Sequence, residues 1–181
     1  MPLTVTIEGK QFVDNDNNII SEPSDVLVLE HSLISISKWE AIWKKPYLES
    51  FKESSNEELY SYIQCMVIKG NADMSVLRRI KRSQYEKILD YINDSMTATT
   101  VKKKENDMSV SNFTTSELIY AWMVQLQIPW EAQKWHLNRL MMLISVLDRM
   151  NQPAKKRSEK QLISDYAKIN AMNRARFKSK G

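Results

Sequence analysis

Hydrophobic and polar positions change their period once along this chain, near residue 30. Leu3, Val5 and Ile7 alternate with polar residues, the pattern of a strand with one buried face. Gln11-Phe12-Val13 follows Glu8-Gly9-Lys10, and Asp14 to Asn18 is a cluster of short polar side chains suited to a turn. Val26 to Leu29 is an apolar run bounded by Pro23-Ser24-Asp25. Residues 1–30 are read as two or three short strands, a sheet too small to stand alone and expected to lean on helices.

From Ser35 the period becomes helical. Ile36, Trp39 and Trp43 share a face, and Pro46 ends that helix at or before Lys45. Ser54 and Ser55 ahead of Glu57 and Glu58 make a doubled capping box. The helix behind it points Leu59, Tyr62, Ile63, Met66 and Val67 inward and is expected to stop at Gly70. Residues 75–82, with the run LRRIKR, read as a short basic helical turn. Ser83 and Glu86 are expected to box the next helix, whose inner face is Tyr85, Ile88, Leu89 and Ile92. MTATT (96–100) reads as extended or loop, and the Lys-rich residues 102–112 as a loop. Thr114 and Glu117 open a helix bearing Leu118, Ile119, Trp122, Met123 and Leu126. Pro129 breaks it and is placed at the first position of a new helix running to about Met150, with Leu137, Leu140, Met141, Ile144 and Leu147 inward. After Pro153, Ser158 and Gln161 are candidate caps for a last helix with Leu162, Tyr166, Ile169 and Met172. The expected fold is mainly α: a small β element (1–30, hence α+β), a helical body (31–153) and a basic C-terminal helical tail (154–181).

Composition then removes functions rather than assigning one. The chain has 181 residues, a net charge of +4, three glycines and one cysteine. Gly9, Gly70 and Gly181 cannot build a phosphate loop, and Cys65 alone cannot form an intrachain disulfide. No apolar run approaches bilayer length, and the first ten residues lack the apolar core of a signal peptide, so a membrane association is not expected. The charge is uneven: residues 154–181 carry nine Lys or Arg and two acids, a net +7, which leaves −3 for residues 1–153. A basic arm on a faintly acidic body points to an acidic partner, whether nucleic acid, a protein surface or a neighbouring copy.

Candidate chemistry is sparse. A Cys65–His136 thiol–imidazole pair competes with an inert core cysteine, which mid-helix placement favours. His31 and His136 with one cysteine are too scattered for a zinc site, and no hydrolase or metalloprotease motif occurs. Glu57-Glu58 reads as helix-capping material. A non-enzyme without cofactor or metal is expected. In the tail, Lys155, Lys156, Arg157, Lys160, Arg174 and Arg176 are candidate phosphate contacts, but Tyr166 and Phe177 are poor stock for base stacking. Nucleic-acid binding through the tail is therefore a lesser alternative to docking on protein. Trp122, Met123, Trp130, Trp135, Met141 and Met142 crowd one region: either core, or a Met/Trp groove adapted to apolar segments of a client.

Residues 29–51 (LEHSLISISKWEAIWKKPYLESF), 62–68 (YIQCMVI), 96–100 (MTATT), 114–144 (TTSELIYAWMVQLQIPWEAQKWHLNRLMMLI) and 170–181 (NAMNRARFKSKG) resemble a family of tailed-phage proteins. The tightest block holds Pro129, Trp135, His136, Leu137, Asn138 and Arg139. The family is similar to the tail assembly chaperones of long-tailed phages. The resemblance implies a protein that coats the helical, apolar tape-measure protein and helps recruit tail-tube subunits. It implies the host bacterial cytoplasm as location, with other copies of the chain as possible partners. The alternative is a structural tail or connector protein that stays in the virion. The block residues have a structural reading too, since an Asn and an Arg beside a packed Trp can cap and hydrogen-bond a helix junction.

Overall fold

The structure, a computed structural model, describes residues 1–13, 17, 19–99, 114–151 and 159–177. The expected turn at Asp14 to Asn18, for the most part, the loop at 102–112, the Ser158 cap, and Lys155, Lys156 and Arg157 lie outside them. The chain divides into two compact units, Met1–Arg149 and Met150–Gly181.

The first unit opens on two antiparallel pairs. Strand β1 (Leu3–Ile7) pairs with β4 (Asp25–Leu29), with Val5 opposite Leu27. Strand β2 (Lys10–Val13) pairs with β3 (Ile19–Glu22). Alternation decides the buried face: Val5, Ile7, Leu27 and Leu29 point into the core. Gly9 lies so close to β3 that a Cβ there would sit 2.5 Å from the Glu22 carbonyl oxygen.

Helix dominates the rest: α1 (Leu33–Trp43), α2 (Tyr47–Ser50) running into a 3-10 turn (Phe51–Glu53), α3 (Asn56–Met66), α4 (Met74–Leu77), α5 (Arg82–Asn93), α6 (Ser116–Gln125), a second 3-10 turn (Trp130–Lys134), and α7 (Leu137–Asn151). The second unit contains α8 (Glu159–Phe177). The core of the first unit joins the sheet face to Leu33, Ile36 and Trp39 of α1, Tyr62, Ile63 and Met66 of α3, Ile88 of α5, Ile119 and Met123 of α6, and Leu137 and Leu140 of α7.

Four sequence expectations are corrected. The helix expected to reach Gly70 ends at Met66. Val67–Lys69 instead forms β5, which pairs with the free side of β4, while the Glu30 N–H donates to the Met66 carbonyl at 2.9 Å. Gly70 (φ +111°) turns the chain where a Cβ would strike the Val26 carbonyl, so it closes a strand and not a helix. The Ser83–Glu86 box is displaced: the Gln84 side chain accepts from the Lys81 N–H at 2.8 Å, and Glu86 pairs with Arg82 one turn away. Thr114 does not cap α6. Thr115 occupies the cap position without a side-chain bond, and Glu40 of α1 supplies the acceptor.

The fourth concerns the helix expected from Pro129 to about Met150. Pro129 opens only the 3-10 turn, and Trp135 is extended. His136 makes a β-bridge with Ser32, and the Leu137 N–H donates to the His31 carbonyl at 2.7 Å. Pairing with the segment before α1 therefore interrupts the helix for one turn. Helix α3 starts as read, on a reciprocal Ser55–Glu58 box, whereas α1 starts at Leu33, ahead of the expected Ser35, on a Ser32–Ser35 box that the sequence reading does not include.

Two charged side chains organise this unit. Glu40 is almost fully buried, and its two oxygens accept the Tyr47 N–H at the start of α2 and the Ser116 N–H at the start of α6, each at 2.8 Å. One carboxylate thus satisfies orphan donors at two helix N-termini, where negative charge is also favoured. Arg79, in the basic run expected as a short helical turn, has its side chain 7% exposed. It donates to Asp25 Oδ2 at 2.6 Å and to the Pro23 carbonyl at 3.0 Å, and lies 3.5 Å from the Glu22 carboxylate, pinning the strands.

Candidate functional site

Helices α6 and α7 present a groove lined by Trp122, Gln125, Leu126, Met141, Ile144, Ser145 and Asp148. The spacing explains the assembly. Trp122, Gln125 and Leu126 stand at i, i+3, i+4 on α6, and Met141, Ile144, Ser145 and Asp148 at i, i+3, i+4, i+7 on α7, so each helix turns one stripe to the cleft. The floor is apolar, and Gln125, Ser145 and Asp148 supply polar groups along it. Trp122, Leu126 and Met141 are partly buried and pack against the core; Ile144 is buried.

Only part of the Trp/Met set meets there. Trp122 and Met141 share the groove. Met123 is 1% exposed and belongs to the core, so it is corrected from client contact to packing residue: one position along α6 rotates it inward from Trp122. Trp130 is 55% exposed and tilts against Tyr120, ring centroids 5.7 Å apart. Trp135 is also exposed, with the Arg139 guanidinium 4.8 Å over its ring. Met142 is half-buried and does not line the groove.

The remaining residues of the WHLNRL block do structural work. His136 is buried, with Nε2 2.9 Å from the Tyr91 carbonyl. A carbonyl only accepts, so Nε2 is the donor in this bond. Its ring stands edge-on to Tyr91 and to His31, at 4.9 and 5.0 Å. Leu137 is core. The Asn138 amide donates to the Ile92 and Asp94 carbonyls at 2.9 and 2.7 Å, tying down the C-terminal end of α5. Pro129 is exposed.

His31 completes a buried polar cluster. Its Nδ1 bonds the Tyr62 hydroxyl, and burial together with the neighbouring His136 lowers its pKa to about 3. Tyr47 stacks at 4.1 Å on Tyr62, and the Tyr91 hydroxyl donates to Glu30 at 2.6 Å; burial raises the pKa of all three phenols. This cluster fastens the link between β4 and α1 to α2, α3, α5 and the start of α7, and its members lie too far apart along the chain for their spacing to reveal it.

Cys65 is half-buried against the core, and burial pushes its thiol up, away from the reactive thiolate. Of the Glu57-Glu58 pair, Glu58 caps α3 and bonds Lys45, which holds its carboxyl below the usual range. Among the described residues, no three His, Cys, Asp or Glu side chains are placed to hold a metal ion, and no helix is long and apolar enough to cross a membrane.

In the second unit, Arg174 and Arg176 are exposed on α8, with the Arg176 guanidinium 5.7 Å over Phe177; Lys160 lies in the same helix. Ile163, Tyr166, Ile169, Met172 and Phe177 of α8 are all more than half exposed. No family model, curated protein or solved structure matches the chain.

Proposed function

We propose that the protein is a helix-binding assembly factor, a tail assembly chaperone of a long-tailed phage, whose client is the tape-measure protein and which helps bring tail-tube subunits to it. The observation that carries this reading is the open α6–α7 groove. Its floor of Trp122, Leu126, Met141 and Ile144 suits the apolar stripe of an amphipathic helix, and Gln125, Ser145 and Asp148 suit the polar flank of that helix. Flexible methionine and a half-buried tryptophan let one groove accept related but unequal sequences. Exposed Trp130 and Trp135 extend the apolar surface on the segment between the two helices. The resemblance of residues 114–144 to the phage family names the client; the groove supplies the mode of binding.

Co-expression with the tape-measure protein tests it. The full chain is expected to raise the soluble fraction of that client several-fold, and Met141→Glu to abolish the gain. An unchanged soluble fraction with the wild-type chain overturns the reading.

A further inference from the structure

The α8 helix carries a set of exposed apolar residues. Ile163, Tyr166, Ile169 and Phe177 fall within about 120° of one another at helical spacing, and each is more than half exposed. Lys168 stands on the far side of the helix, Arg174 borders the arc beside Ile163, and Asn170 and Asn173 fall within it, all of them exposed. A helix of 19 residues with this composition is marginal in water by itself, so its apolar side calls for a covering surface. The charge of the chain says which. The unit that contains α8 carries the net +7 of the tail, and Met1–Arg149 carries −3. Two arms would repel each other; an arm and a body attract. The α6–α7 groove is an apolar cleft on that body.

We infer that the α8 helix of one copy docks in the α6–α7 groove of a second copy, its Ile163–Tyr166–Ile169 side on Trp122, Leu126 and Met141. Such a contact is heterologous: arm and groove are different surfaces, so each copy has one of each to offer. The arm then stands in for a client, and client binding requires its displacement. The inference uses the groove of the client reading but a different occupant, and its test contains no client, so either can fail while the other stands.

The test is sedimentation velocity on the full chain at low and high salt. The wild type is expected to self-associate with rising concentration, and high salt to weaken that association by about tenfold, as attraction between unlike surfaces requires. Ile169→Glu on the arm and Met141→Glu in the groove are each expected to sediment as monomers. Gln125→Lys, at an exposed groove position, repeats the second result without touching the core, and far-UV circular dichroism checks that all variants are folded. An equimolar mixture of Ile169→Glu and Gln125→Lys chains is expected to recover a dimer, because one intact arm meets one intact groove. A wild-type chain that stays monomeric at every concentration overturns the inference. So does a Gln125→Lys chain that associates as the wild type does, the result that arm-to-arm pairing would give.

Discussion

Glu40 stands behind the geometry of the groove although it lies outside it. Its carboxylate receives the first N–H groups of α2 and α6, both buried, so truncating it strands two donors as well as the tail of a charge. Glu40→Ala is expected to cost about 2–4 kcal/mol in chemical denaturation, from two lost caps and their unmet donors. Glu40→Gln retains one amide oxygen and is expected to cost less. Equal losses would show that the oxygens do not act as acceptors. The histidines make a second residue-scale statement. His31 is neutral in the fold, and its pKa of about 3 lies below the ordinary 6.5. A depressed folded pKa means the unfolded chain takes up the proton first. Stability from this group is therefore complete above 6.5 and declines as pH falls toward 3, at up to about 1.4 kcal/mol per pH unit. His31→Asn is expected to flatten that slope relative to the wild type; parallel profiles would contradict it.

At the scale of elements, legibility follows the range of the forces. The face of α1 that carries Ile36, Trp39 and Trp43, the Ser55–Glu58 box, and the apolar faces of α5 and α7 rest on residues three or four apart, which a sequence displays. Strand β5 reads in the sequence as the end of a helix because Val67 and Ile68 fit either period, and pairing with the distant β4 decides between them. The break at Trp135–His136 depends in the same way on Ser32 and His31. The groove itself was half legible. Crowding of Trp and Met singled out the region, but the sequence could not separate adjacent Trp122 and Met123, which face the cleft and the core. Their variants should separate them. Met123→Ala is expected to cost about 2–5 kcal/mol of stability. Trp130→Ala, at an exposed position, is expected to leave the melting temperature within about 2 °C and to weaken client binding. Reversal of the two melts would contradict the placement.

For the molecule as a whole, charge and structure divide the chain in nearly the same place. The basic segment begins at residue 154 and the second unit at Met150. The expected α+β character holds, and the described residues form five strands in two sheets: four lie within residues 1–30, where two or three are expected, and β5 comes from beyond α3. Within the first unit, buried polar bonds join distant segments: Glu40, Arg79, the His31–His136–tyrosine cluster and Asn138 each fasten one element to another. Such bonds rigidify a scaffold, although Tyr47 Oη, Arg79 Nε and His136 Nδ1 are buried without a hydrogen-bond partner of their own. These bonds hold the frame on which α6 and α7 present the groove, as the proposed client binding requires. Hydrogen exchange on the full chain, with and without the tape-measure client, tests this most directly. The account predicts that the client slows exchange in 116–126 and 137–148, the two walls of the groove, while α3 and α5 exchange as before. Protection confined to other elements, or none at saturating client, would contradict it.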